Sequence, residues 1–109
     1  MKIRLLLIAL GLLGLICCSE PPPELPIEED KLVKILADVH IAEAALQNLS
    51  GEVKDSTADA YYQQIAQRHK IDRALLDSTI ILIRKDAKRM SVLYTKVLEE
   101  LQTQEQKEK

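Results

Sequence analysis

The sequence predicts an all-α fold, a small bundle of three to four helices that follows a signal peptide and a proline-rich tether. After Pro26, apolar residues recur every three or four positions, the spacing of one face of an α-helix, and no stretch alternates convincingly with the period of a strand. The remaining chain is long enough for one small domain, which buries only a modest part of its surface. Oligomerisation or a partner would therefore help to stabilise it.

Residues 1–17 have the pattern of a secretory signal peptide. Two basic residues open the chain, and the uncharged run from Leu5 to Ile16 is well short of the about 20 apolar residues that span a membrane. A buried core helix is the alternative, but Gly11 and Gly14 disfavour it. We therefore expect this segment to be removed on export.

The end of this segment, Leu15-Ile16-Cys17-Cys18, resembles the lipobox of bacterial lipoproteins, where a peptidase cuts before a cysteine that carries a diacylglycerol. Cleavage before Cys18 leaves the small Cys17 at the last removed position, whereas cleavage before Cys17 would leave the bulky Ile16 there. Cys18 is therefore the predicted lipidation site. A disulfide between adjacent cysteines is geometrically poor, and a metal site lacks the usual ligand spacing.

Lipidation at Cys18 predicts a firm membrane anchor, because two or more acyl chains hold a protein stably where one does not. By resemblance to Gram-negative sorting signals, Ser19 implies the outer membrane. Acidic residues nearby resemble a weak form of the surface-export signal of some Bacteroidota lipoproteins, but prolines interrupt them, so we expect the periplasmic face. The tether, residues 18–27, is rich in proline and favours an extended polyproline II spacer.

The mature chain is predicted to be acidic. Removal of Lys2 and Arg4 leaves 13 basic residues against 17 acidic ones. Nucleic-acid binding depends on Lys and Arg that neutralise phosphates, so this balance argues against a nucleic-acid partner. The absence of Trp and Phe also leaves few side chains on which bases could stack.

The helical domain is predicted to span residues 28–104, followed by a polar tail at residues 105–109. The expected helices are Glu28–Leu49, a second from a cap at Asp55, Ser56 or Thr57 to about His69, Arg73–Arg84, and Ala87 to about Gln104. The pair Ser50-Gly51 is expected to stop the first, and Asp72 and Asp86 to cap the last two. A single continuous helix in place of the last two is the alternative, because no Pro or Gly separates them.

The third helix carries more apolar surface than one buried stripe requires. Ile81 and Leu82 lie outside the stripe formed by Leu75, Leu76, Thr79, Ile80 and Ile83. Either the helix is buried on most sides, or Ile81 and Leu82 face a partner, since exposed apolar patches usually mark interaction surfaces.

Four cations cluster where the third and fourth helices join, namely Arg84, Lys85, Lys88 and Arg89. They either face anionic lipid or lipopolysaccharide phosphates or form a solvated surface near a helix end. Tyr61 and Tyr62, in the second helix, are expected to be packing residues and not a ligand site.

The first helix carries three polar residues among apolar ones, Asp38, His40 and Glu43. At 100° per residue, Asp38 and His40 point apart and cannot jointly hold one ion, whereas His40 and Glu43 can touch. Glu43 falls within the apolar face formed by Leu32, Ile35, Leu36, Val39, Ala42 and Leu46. A carboxylate there requires a partner or neutralisation, so we expect Glu43→Ala to destabilise the fold more than Asp38→Ala.

We interpret these residues as part of a buried polar network that fixes helix register, with the members His40, Glu43, Ser78 and Tyr94. A ligand or partner site, and a catalytic or metal site, are the alternatives. No cofactor is predicted, since only two convergent ligands are evident and no nucleophile or second carboxylate accompanies Glu43.

Three stretches, "LVKILADVHIAEAAL", "YYQQIAQRHKIDRALLDSTI" and "MSVLYTKVLEEL", together with the lipobox and tether, resemble the Bacteroidota lipoproteins grouped as domain of unknown function DUF4296. The family pattern falls on Asp38, His40, Glu43, Ala44, Tyr61 or Tyr62, Asp77 with Ser78 or Thr79, Tyr94 and Val97. The resemblance implies an envelope location, a helical fold and contacts of the polar residues of the first helix with Ser78 and Tyr94. It implies no reaction. Where the family often has Tyr-Tyr and Pro, this chain has Ile81-Leu82 and Lys85-Asp86-Ala87, which leaves a sharp break between the last two helices in doubt.

The function expected from these features is that of a lipid-anchored, non-catalytic adaptor or assembly factor of the cell envelope, which holds an envelope protein. Self-association into a homo-oligomer is a further option. A small periplasmic chaperone is the first alternative. A metal-dependent or hydrolytic enzyme built on His40 and Glu43 is the second.

Overall fold

The computed structural model describes residues 2–3 and 24–108. In the longer range the backbone forms four helices and no strand, which confirms the predicted all-α bundle. They are α1 (Glu29–Leu46), α2 (Gly51–Arg68), α3 (Arg73–Arg84) and α4 (Ala87–Glu108). The predicted cleavage and lipidation at Cys17 and Cys18 lie outside the described residues.

Each helix packs against its neighbour along the chain, and α4 returns to pack against α1. Of the predicted apolar face of α1, only Leu36 is not fully buried. Val33 and Ala37 are buried as well, because α2 and α4 cover two sides of the helix. The ion pair between Glu29 and Lys96 also joins the start of α1 to α4.

The domain starts earlier than the predicted boundary at residue 28. Ile27 is buried in the core, and Leu25 packs against it. These two apolar side chains lie just before α1, in the segment predicted to be the end of the tether. The last residues assigned to the tether therefore belong to the packed domain.

The start of α2 differs from the prediction. The first helix ends at Leu46, before the predicted end at Leu49, so the predicted stop at Ser50-Gly51 is wrong. The helix α2 begins at Gly51, which has a φ of 62° and follows an extended Ser50, so this pair forms the entry to α2. The hydroxyl of Thr57 donates to the carbonyl oxygen of Val53 at 2.6 Å. This bond is typical of a threonine inside a helix, so the predicted caps at positions 55–57 are wrong.

The predicted limits of α3 are confirmed, and the break after it is real. Asp72 holds the N-cap position with an extended backbone, but its side chain forms no capping hydrogen bond, so the predicted side-chain cap there is wrong. Asp86 Oδ1 accepts a hydrogen bond from the backbone N–H of Arg89 at 3.1 Å, which caps the first turn of α4 as predicted. The alternative of one continuous helix is therefore wrong. The helix α4 then continues to Glu108, beyond the expected end near Gln104, because the Gln, Glu and Lys residues of the predicted tail are good helix formers.

Within the range 24–108, no helix is long and apolar enough to cross a membrane.

Candidate functional site

Asp38 joins α1 to the end of α2. His69 Nε2 donates a hydrogen bond to Asp38 Oδ2 over 2.7 Å, and Arg68 Nη1 lies 3.6 Å from the same oxygen. The Asp38 and His69 side chains are only 14% and 16% exposed. This carboxylate is therefore well enclosed and has partners for its charge.

His40 joins α1 to α4. Its Nδ1 and the Tyr94 hydroxyl are 3.0 Å apart and share a hydrogen bond. The two rings also pack edge to face, with centroids 5.6 Å apart and planes at 79°. This predicted contact across the bundle is confirmed.

Glu43 joins α1 to α2 and α3. Its Oε1 accepts a hydrogen bond from the Tyr62 hydroxyl at 3.0 Å and another from Arg84 Nη2 at 3.2 Å. Burial raises the pKa of the Tyr62 phenol, and the nearby Glu43 carboxylate raises it further, because both disfavour a tyrosinate. Tyr62 also packs against the core, so its predicted packing role is confirmed.

The predicted buried network of four residues is wrong in three respects. Tyr94 is 43% exposed, so its contact with His40 is not buried. The Glu43 side chain is 48% exposed, because its partners at this level of α1 are the long side chains of Tyr62 and Arg84 and not a covering helix. Ser78 is exposed, and its hydroxyl donates to the carbonyl oxygen of Leu75, one turn earlier in α3. The hydrogen bond between His40 and Tyr94 thus remains separate from the contacts of Glu43.

These polar groups flank an apolar groove between α1, α3 and α4, with a volume of about 90 Å³. Its apolar lining consists of Leu36, Val39, Ile80, Ile83, Met90, Leu93 and Val97. His40, Tyr94, Glu43 and Arg84 supply the polar part of the lining. The groove is small compared with sites for drug-sized ligands, which hold roughly 300 Å³ or more.

Arg73 forms a further connection between helices, which was not predicted from the sequence. Its Nε donates to Asp77 Oδ1 at 2.9 Å, and its Nη1 donates to Asp59 Oδ1, on α2, at 2.9 Å. Its guanidinium also lies over the Tyr62 ring, 5.4 Å from the centroid. The spacing of Arg73 and Asp77, four residues apart in a helix, is the signal that could have identified half of this arrangement.

The chemistry available to these groups is hydrogen bonding and ion pairing between helices. Among the residues the structure describes, no three His, Cys, Asp or Glu side chains converge in a way that could hold a metal ion. Asp38, His40 and Glu43 instead contact three different sets of partners, on α2, on α4, and on α2 with α3.

The outward face of α3 exposes the two apolar residues singled out in the sequence. Ile81 is 52% exposed and Leu82 is 36% exposed, so burial of α3 on most sides is wrong. Of the four cations beside them, Arg84 pairs with Glu43, and Arg89 lies 3.9 Å from Asp86. Lys85 and Lys88 are exposed.

The model of the family described as Domain of unknown function (DUF4296) matches residues 23–107. No curated protein and no solved structure matches the chain. The matched range includes Leu25 and Ile27 and all but the last residue of α4, so it coincides with the packed domain. The chain belongs to the DUF4296 family.

Proposed function

We propose that the protein is a lipid-anchored, non-catalytic adaptor or assembly factor of the bacterial cell envelope. The observation that carries the adaptor role is the exposure of Ile81 and Leu82 on the outward face of α3. Exposed apolar side chains grouped on one surface favour a contact with another protein. The lipid anchor rests on the lipobox-like sequence that ends at Cys18.

The contacts of α1 support a structural role for its polar residues. Asp38, His40 and Glu43 each bind side chains of other helices, so their hydrogen-bonding groups serve to hold the bundle together. A rigid bundle of this kind suits a protein that presents a fixed surface to a partner. The anchor would keep that surface close to the membrane.

The test is site-specific photo-crosslinking in the cells that produce the protein. A photoreactive amino acid at Ile81 is expected to crosslink a defined envelope protein, whereas the same group at the exposed Thr95 of α4 serves as the matched control. Equal labelling from both positions, or none from Ile81, would contradict the adaptor role. Intact-mass measurement of the membrane-extracted protein tests the anchor, since an unmodified Cys18 would rule it out.

A further inference from the structure

Exposed apolar and basic side chains flank the corner between α3 and α4 on both helices. We call Ile81, Leu82, Lys85, Lys88 and Val92 the corner patch. Val92 is 52% exposed, similar to Ile81. Lys85 follows Ile81 by one helical turn in sequence, and Val92 follows Lys88 by the same interval on α4, so each lysine has an apolar neighbour.

The four cations of this corner fall into two classes. Arg84 donates to Glu43 and Arg89 lies beside Asp86, so both arginines have internal acidic partners. In the part of the chain the structure describes, Lys85 and Lys88 form no salt bridge. The surface of an otherwise acidic chain therefore carries two uncompensated positive charges beside exposed apolar side chains.

The position of Lys88 adds to this imbalance. The N-terminal end of a helix carries a partial positive charge, which acidic residues in the first turn normally offset. The first turn of α4 contains no acidic residue and contains Lys88 instead. Asp86 precedes the helix, but its carboxylate already caps Arg89 N–H and lies near the Arg89 side chain. A carboxylate brought by a partner would thus meet both the lysines and the helix end.

Resting on the proposed function, we infer that the partner binds the corner patch with an acidic, apolar segment, placing carboxylates against Lys85 and Lys88 and apolar side chains against Ile81, Leu82 and Val92. The position of the corner favours a protein over the lipid surface. Arg84 pairs with Glu43 near the C-terminal end of α1, whereas Lys96 pairs with Glu29 at the start of α1, where the tether enters the domain. The corner patch therefore lies toward the end of the domain opposite to the proposed membrane anchor.

The experiment begins with a photoreactive group at Leu82 in the native envelope and identifies the crosslinked peptide by mass spectrometry. That peptide is then synthesised and titrated against the full-length lipidated protein in detergent. We expect an acidic peptide whose affinity falls as salt rises and weakens at least tenfold with Lys85→Glu/Lys88→Glu. Replacing the peptide's acidic residues by lysine should restore binding to that double variant.

The matched control is Lys31→Glu/Lys34→Glu, which makes the same change of charge at exposed positions of α1. It should leave the peptide's affinity within twofold of the original, and unchanged circular dichroism melting should show that both double variants fold. A recovered peptide that is neutral or basic, or an affinity insensitive to Lys85→Glu/Lys88→Glu, overturns the inference but leaves the adaptor role standing. Crosslinks to lipid or to a second copy of the chain overturn the inference too. No crosslinked product at all overturns both proposals.

Discussion

Asp38 and Glu43 are carboxylates on the same helix, yet the fold encloses them to different extents. The Asp38 side chain is 14% exposed and is hydrogen-bonded to His69, whereas that of Glu43 is 48% exposed. We expect Asp38→Ala to lower the free energy of unfolding by about 1–3 kcal/mol, because it leaves an enclosed imidazole without its partner. Glu43→Ala removes a largely solvated ion pair and should cost about 1 kcal/mol or less.

Urea denaturation of both variants measures this difference. Asp38→Asn retains one oxygen acceptor for His69 and should therefore lose less stability than Asp38→Ala. A larger loss for Glu43→Ala than for Asp38→Ala would favour the order expected from the helical wheel over the order expected from the structure.

The Tyr62 hydroxyl gives an alkaline pH dependence. Its pKa is raised above the ordinary value of 10.0 by burial and by Glu43, so the folded state binds its proton more tightly than the unfolded state does. The stabilisation is present in full below about pH 10 and is lost as the pH rises through the folded-state pKa. Tyr62→Phe should therefore lower the free energy of unfolding at pH 8 by about 0.5–1.5 kcal/mol. The difference in free energy of unfolding between this variant and the parent should be smaller at pH 11.

Denaturation curves at the two pH values provide the measurement, and absorbance titration of the phenols at 295 nm provides an independent check. Tyr94→Phe is the matched control, because its hydroxyl contacts His40 and not a carboxylate. If Tyr62→Phe retains all of the late-titrating phenol absorbance seen in the parent, that absorbance does not come from Tyr62 and the assignment fails.

A helical wheel correctly predicted that Asp38 and His40 point to different neighbours, and most of the predicted face of α1 is buried. The wheel placed Glu43 among the buried residues because it describes only the direction of a side chain around the helix axis. Whether another helix covers that direction at the height of Glu43 depends on where α3 and α4 lie. That information is tertiary, and local periodicity does not contain it.

At the scale of single elements, one side chain caps the helix that follows the corner between α3 and α4. Asp86 Oδ1 satisfies a backbone N–H in the first turn of α4. We expect Asp86→Ala to lower the free energy of unfolding by about 1 kcal/mol. Asp86→Asn keeps the acceptor and should lose less, and equal losses for both variants in urea denaturation would mean that the cap does not stabilise α4.

Gly51 determines how the chain enters α2. Its φ of 62° lies in the left-handed region, where a side chain is strained, yet an added Cβ would meet no atom within 4 Å. Gly51→Ala should therefore cost about 1–2 kcal/mol through backbone conformation alone. Gly51→Asn tolerates this φ better and should cost less in thermal unfolding. A Gly51→Ala variant as stable as the parent would contradict the left-handed entry.

Elements with a strong local signal were predicted well. The limits of α3 follow from its apolar spacing, from the non-helical Asp72 before it and from the capping Asp86 after it, all of which lie close together in sequence. The start of α2 was predicted wrongly because a glycine such as Gly51 is typical of the end of one helix and can equally form the entry to the next. The Ser and Thr at positions 56 and 57, which are typical caps, instead bond back to Val53 inside the helix.

At the scale of the whole molecule, the polar residues of α1 connect the helix that is most buried to each of the other three. The contacts of Asp38 reach the end of α2, those of His40 reach α4, and those of Glu43 reach α2 and α3. The apolar core contributes most of the burial, but it is nondirectional. The hydrogen bonds add direction, so together they favour one arrangement of the four helices.

The proposed anchor and the domain should be separable, because the core begins with Leu25 and Ile27, several residues after Cys18. We expect Cys18→Ala to move the protein from the membrane pellet to the soluble fraction, since the proposed anchor would consist of acyl chains on that residue. The far-UV circular dichroism and melting temperature of the released form should match those of a chain that starts at residue 24. Cys17→Ala is the matched control and should leave the protein in the pellet. A Cys18→Ala variant that still sediments with membranes would contradict the proposed anchor. A released form that melts at a lower temperature than the chain starting at residue 24 would contradict the independence of the domain.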